Sequence, residues 1–463
     1  MRDERIAPKG WPKDQRSRRS GKASRFHYDW TKRNLERSEF NPAGRKEGSD
    51  YNLHYLDVDG PLDTAIEFDR RVREIDGRDP DTKWRLPEPD AGDRFRGAVL
   101  AAAVGDAFGL AVGSGAVMGL PWTPNVSFTE EERLTEYLLR DRSVPPSAIT
   151  QQIAFTLEGL IRAHTARRLN PVDADPIPEV RHAYQRWLYT QRVSWGQRGK
   201  WQEWGGSFAL RSPEPDGWLV QTEAMFGDRA ADSATVAALE SFARDGSQPK
   251  SEGGGVMGAE VVPRAAMAAV WSNDPSEVFS TAVNIAMLTH PNPDDYLPAG
   301  ALAVLLHQQI RDVPFFDCLR SAVAELRKWP AREKTIWMLR EAFGMNRKKH
   351  WVPATRDQMR IPFGEGGSDG AEALGLAMYC AMASDYVREA VLLAMNYSEH
   401  RSVVGAISGL LIGAECGVRA VPRELSEVLV LRDVVQTLTD EVLLEFSPGP
   451  PRDQTWTQRY PAW

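Results

Sequence analysis

The chain has 463 residues, 42% hydrophobic and 26% charged, with a net charge of −7, a balance ordinary for a soluble globular protein, and its mean hydropathy of −0.43 argues against an integral membrane protein. Its length allows one large domain with a core of its own plus an appendage. Three cysteines, Cys318, Cys380 and Cys416, lie far apart without paired spacing, which excludes a disulfide framework or zinc ribbon and fits a reducing, cytoplasmic compartment.

Residues 1 to 46 hold fourteen Lys and Arg against six Asp and Glu, so this arm carries +8 and the remainder −15. The opening MRDERIAPKG is charged where a secretory signal needs an apolar core of roughly 7 to 15 residues, so no export is expected. Acidic residues interrupt the basic arm and no nucleic-acid module follows it, which argues against a nucleic-acid partner. Residues 1–92 read as an N-terminal extension, poor in apolar residues, with prolines at both ends and one helical stretch around Pro61 to Ile75. Its aromatic cluster Phe26, His27, Tyr28 and Trp30 is expected to anchor the arm on its own domain or on a partner surface.

From Asp93 onward, in a domain taken as 93–463, apolar residues recur at helical spacing. The predicted helices are Arg94 to Leu110, Ala148 to Ala166, Pro178 to Thr190, Ser276 to Leu288, Leu297 to Arg311, Ala371 to Ala383, Asp385 to Met395, Val403 to Gly417 and Ser426 to Leu444. No alternating strand pattern competes with them. The segments Trp195 to Trp218 and Asp245 to Gly258, rich in Trp, Gly and Pro, are expected to be long loops over one face. Gly97 to Trp122 is long and apolar enough for a membrane span, but Asp106 and recurrent glycines mark it as a buried helix and loop. Gly405, Gly409, Gly413 and Gly417 fall four apart and form a bare stripe on one helix. Each glycine weakens a helix interior by about 1 kcal/mol relative to alanine, so the stripe predicts close approach of another backbone.

Four segments, in order, resemble the ADP-ribosylglycohydrolase family. They are Asp93-Arg-Phe-Arg-Gly-Ala-Val-Leu with Val104-Gly-Asp-Ala-Phe-Gly109; Thr150-Gln-Gln-Ile-Ala-Phe-Thr-Leu-Glu-Gly-Leu160; Gly253-Gly-Gly-Val-Met257 with Leu288-Thr-His-Pro291 and Tyr296-Leu-Pro-Ala-Gly-Ala301; and Asn396-Tyr-Ser followed by Gly405-Ala-Ile-Ser-Gly409. The resemblance spans Asp93 to about Phe446. It implies an all-α fold, an orthogonal helical bundle of the ADP-ribosylglycohydrolase type with an N-terminal extension. It further implies hydrolysis at the anomeric carbon of ADP-ribose, assisted by two magnesium or manganese ions. Such hard ions want near-octahedral oxygen ligands, with carboxylates offsetting their charge.

The chain departs from that pattern at the ligands themselves. Where the family has Thr-Asp-Asp-Thr, this chain has Ser147-Ala148-Ile149-Thr150. In place of Gly-Asp-Ser/Thr-Asp-Ser/Thr stands Glu399-His400-Arg401-Ser402-Val403, with His400 and Ser402 at the aspartate positions, and the family's glutamate aligns with Gly113. Five carboxylates are thus replaced, so no metal and no cofactor is expected. Asp106 remains and reads as a helix-packing and hydrogen-bonding residue.

Glu399 and His400 are the candidates for general acid or base work, and Arg401 for a charge-assisted clamp on phosphate, against the plainer reading of a solvated or internally paired charge cluster. His290 is a ligand candidate or a satisfied core histidine. Gly254, Gly255 and Gly366 belong to glycine-rich segments that could cradle a pyrophosphate, although neither is a Walker or Rossmann loop. The favoured expectation is a pseudoenzyme that binds an ADP-ribose-like small molecule, an ADP-ribosylated protein or an ADP-ribosyltransferase. One alternative is a metal-independent hydrolase or transferase on an N- or O-glycosidic substrate, using Glu399, His400 or acids of the Phe128 to Glu136 segment. Another is a self-associating structural protein.

Overall fold

A computed structural model describes residues 88–113, 147–169, 175–193, 195, 214–227, 232–249, 258–348, 354, 356–384 and 387–461. Helices α1 (Ala91–Gly113), α2 (Ala148–Leu169) and α3 (Ile177–Thr190) come first, followed by α4 (Ser233–Asp245), α5 (Val261–Ala265) and α6 (Pro275–Met287). Next are α7 (Pro293–Ile310), α8 (Phe315–Leu326), α9 (Glu333–Lys348), α10 (Arg356–Phe363), α11 (Gly370–Met382) and α12 (Val387–Tyr397). The chain closes with α13 (Arg401–Cys416), α14 (Arg423–Ser426), α15 (Arg432–Glu445) and α16 (Gln454–Arg459). No strand occurs among the described residues, so the fold is all-α.

The centre is the pair α1 and α13. Neither helix has a polar face, because each is covered on all sides by other helices. The stretch Ala91–Val112 is long and apolar enough to cross a membrane, and 78% of its most apolar window is buried inside the protein. The glycine stripe of α13 meets a second set of small residues on α1. A Cβ on Gly405 would lie 2.4 Å from the carbonyl oxygen of Gly105, one on Gly409 would lie 2.2 Å from that of Ala101, and one on Gly413 would lie 2.3 Å from that of Gly97. The register runs antiparallel, and at its far end Gly109 sits against the backbone of Arg401 and Ser402. The seam therefore brings the start of α13 to the last turns of α1. It ends at Gly417, whose φ of +77° is the left-handed conformation that glycine allows.

Around this pair the other helices bury conventional apolar faces and a few polar hubs. Between α2 and α3 the buried Glu158 accepts from Arg162 at 2.9 Å and Arg186 at 2.7 Å, while Arg162 also reaches Asp216 at 2.5 Å. Burial alone would raise the pKa of Asp216, but Arg186 and Arg162 hold it well below the ordinary carboxylate range. Near the C-terminus, buried Glu445 accepts a forked pair of bonds from Arg168 at 2.7 and 2.8 Å and one from Trp456 at 2.8 Å, tying α2 and α16 to α15.

Most predicted helices appear within a few residues of their expected ends. The helix expected over Ser426 to Leu444 starts late, at Arg432, preceded by the unpredicted turn α14 that ends at Ser426, and Leu297 to Arg311 begins a turn earlier at Pro293. Helices α4, α5, α8, α9, α10 and α16 were not predicted. The helix expected around Pro61 to Ile75, the aromatic cluster and most of the Trp195 to Trp218 loop lie outside the described residues.

Candidate functional site

The α1–α13 seam fixes one side of the site. Asp106, in α1, is fully buried and faces the start of α2. Its carboxylate accepts from Ser147 Oγ at 2.6 Å to both oxygens, from Thr150 Oγ1 at 2.5 Å and from Thr150 N at 3.2 Å. Ser147 Oγ in turn accepts from Ile149 N at 2.9 Å, so the aspartate and the serine together satisfy donors that the first turn of α2 would leave open. Burial raises the Asp106 pKa to about 6, with the Ser147 and Thr150 bonds pulling the other way. From the opposite side Ser402 Oγ donates to the main-chain carbonyl of Asp106 at 3.3 Å. The starts of α2 and α13, far apart in sequence, thus converge on one turn of α1.

A rim continues from there. His400 is exposed at the start of α13, with its Cβ against Gly367, and Ser398 Oγ donates to the carbonyl of Gly366. Gly366 and Gly367 take φ of +75° and +118°, which lets the Gly364 to Gly370 loop fold back on the turn before α13. That loop ends in Asp369, which caps α11 by accepting from Ala371 N and Glu372 N. Asp295, buried in α7, accepts from Gly370 N at 3.1 Å and Gly258 N at 3.4 Å, and so ties the glycine loop to the segment ending at Gly258. Burial pushes its pKa up to about 6, against those backbone bonds and the nearby His290. His290 is buried behind Gly258, where an added Cβ would lie 2.0 Å from its Nε2.

A profile of the ADP-ribosylglycohydrolase family matches residues 87–451. The chain belongs to that family. A solved structure titled an ADP-ribosylglycohydrolase-related protein complex is 19% identical, with a TM-score of 0.50, covering 77% of this chain and 99% of that one. At that identity the likeness speaks to the fold. No protein of curated function matches the chain in sequence.

At the positions that resemble the family's two aspartate motifs, the side chains offer few donor oxygens. Ala148 and Ile149 are buried and offer no side-chain donor, Ser402 donates to the Asp106 carbonyl, Asp106 itself is engaged by Ser147 and Thr150, and Glu399 is paired with Arg401. Among the described residues no three His, Cys, Asp or Glu side chains gather as a metal cage. These groups do not fit a pair of hard divalent ions, which need several acidic oxygens.

The structure brings the Ser147 to Thr150 turn and Ser402 to the two sides of Asp106, sets His400 and Gly366 together at the turn before α13, and puts His290 behind Gly258. Gly113 is the last described residue of α1, one turn beyond Gly109. Glu399 is exposed and Arg401 reaches it at 3.4 Å, while Arg401 Nε donates to the carbonyl of Met395 at 3.2 Å, closing the end of α12. Gly254, Gly255 and the Phe128 to Glu136 segment lie outside the described residues. Asp295 and Gly258 escaped the sequence reading. The one signal for Asp295 was the Asn292-Pro-Asp-Asp run, which reads as a helix start rather than as a site.

Proposed function

We propose that this ADP-ribosylglycohydrolase-family chain is catalytically degenerate, a cytoplasmic binding protein for an ADP-ribose-like nucleotide, free or carried on a protein, without metal-dependent hydrolysis. The observation that carries the reading is the state of Asp106: it serves as a cap for α2, bonded to the very residues that occupy the first motif. With Ala148 and Ile149 beside it, the described residues around Asp106 lack the charge that would offset two divalent cations. The rim keeps what a nucleotide needs. It has a glycine loop with three positive-φ residues, a helix N-terminus at α13 and a buried histidine, which together favour an anionic, oxygen-rich ligand.

The test is calorimetry of the full chain with manganese, magnesium and ADP-ribose, alongside release of ADP-ribose from a modified protein. Saturable ADP-ribose binding that is indifferent to both metals, with no turnover, is the expected outcome. Two tightly bound manganese ions per chain, or rapid metal-dependent release, would overturn the reading.

A further inference from the structure

Asp295 holds both glycine-rich segments of the rim at once. Its Oδ1 accepts from Gly370 N at 3.1 Å, where the Gly364 to Gly370 loop enters α11, and its Oδ2 accepts from Gly258 N at 3.4 Å, where the other segment ends. Each oxygen serves one segment. A carboxylate can do this because it only accepts, whereas a carboxylic acid turns one oxygen into a hydroxyl that must place its own hydrogen. One of the two buried N–H groups then loses its full acceptor, which is costly in a dry interior.

The surroundings decide how readily that proton is taken up. Asp295 stands fully buried in the first turn of α7, next to Asp294. Helix α11 brings Asp369 and Glu372, and Lys334 of α9 offsets these acids by bonding to Asp369 and standing 3.5 Å from Glu372 and 4.0 Å from Asp294. On the other side is His290, whose Nε2 lies 3.2 Å from Asp232 Oδ2. Thr289, before it, accepts from the buried Arg264 of α5, and Glu260 precedes that helix. Burial, the largest influence, and the like charge of Asp369 raise the Asp295 pKa to about 6, while the two backbone bonds and His290 hold it back.

We infer that Asp295 is a proton-operated clasp: ionised, it joins the Gly258 segment to the Gly364 to Gly370 loop, and on taking up a proton it releases one of them and loosens the rim. About nine-tenths of the chains are clasped at pH 7 and about half at pH 6, so one unit of acidification is enough to move the population. The clasp is independent of any ligand; its effect on affinity rests on the binding function proposed above.

The measurement is nuclear magnetic resonance of the full chain, deuterated and labelled with 13C and 15N, between about pH 4.5 and about pH 8. It follows the Asp295 carboxyl carbon and the backbone amides of Gly258 and Gly370. The carboxyl should titrate well above the ordinary aspartate value of about 3.9, and both amides should move with the same midpoint. Asp295→Asn, which cannot ionise, should abolish the movement of both amides. A carboxyl midpoint below about 4.5, or amides that stay still while the carboxyl titrates, overturns the clasp, and both readings come from the wild-type chain whether or not the variant folds. With ADP-ribose as the calorimetric probe, wild type should bind about tenfold more weakly at pH 5 than at pH 8, in proportion to the clasped fraction, and Asp295→Asn should bind equally at the two values. Equal wild-type affinity at both values overturns the effect on affinity alone, whereas no binding at either value overturns the proposed binding function and leaves the clasp standing.

Discussion

Replacing Asp106 by asparagine separates the cost of its charge from the contribution of its hydrogen bonds. In the unfolded chain this carboxyl ionises near its ordinary 3.8, whereas in the fold burial raises it to about 6. Between those values the folded protein holds a proton that the unfolded chain has released, so stability falls as pH rises through the interval and is level on either side. Each tenfold change in acidity corresponds to about 1.36 kcal/mol, which makes the whole effect about 3 kcal/mol, of which about 2 kcal/mol falls between pH 4 and pH 7. The substituted amide would keep one acceptor oxygen and the shape but would not titrate. The assay is urea unfolding of both proteins at pH 4 and pH 7, with equal slopes required for the comparison. Asp295, also raised to about 6, is common to both and cancels. The unfolding free energy of wild type minus that of Asp106→Asn should be lower at pH 7 than at pH 4 by about 2 kcal/mol. A difference that stays constant across the interval refutes the claim that burial governs this group.

The glycine seam and the polar hubs yield further expectations. Gly409→Ala would set a methyl 2.2 Å from the Ala101 oxygen and should cost at least about 2 kcal/mol in urea unfolding. Gly344→Ala, in α9 with nothing within 4 Å, should instead gain about 0.5 to 1 kcal/mol; equal effects at the two sites would contradict the seam. Glu158→Gln leaves Arg162 and Arg186 short of a buried counter-charge and should lower stability by about 3 to 5 kcal/mol, so a loss under about 1 kcal/mol would show the cluster to be well solvated.

How much of this was legible beforehand depended on whether a residue's partner was close in sequence. Helices that are apolar on most faces, such as α1, α11 and α13, announce themselves by density of apolar residues alone. Helix α9, whose outward residues include Glu333, Trp337 and Arg340, dilutes its pattern with polar side chains and was missed. Helix α7 starts at Pro293 because Asn292 caps it, accepting from Asp294 N, a start signal hidden by its polar first turn. The stripe at Gly405 to Gly417 predicted close backbone contact but could not name Gly97, Ala101 and Gly105 as the other side. At the candidate site, motif positions pointed to Ser147, His400 and Ser402. Asp295, Arg264 and Asp232 were invisible, and Thr289 was seen only as part of a motif, since each acts through a partner that only the tertiary fold supplies.

The α1–α13 pairing also sets a demand on how the chain is made. Arg94 Nη1 donates to the carbonyl of Ala414, 320 residues later. At translation rates of about 5 to 20 residues per second, α1 waits roughly 15 to 60 s after its synthesis before its partner emerges. During that time a helix as greasy as a membrane anchor has no surface of its own chain to bury against in the native way. Nascent chains should therefore depend heavily on cellular chaperones, and a version truncated before residue 401 should collect in aggregates.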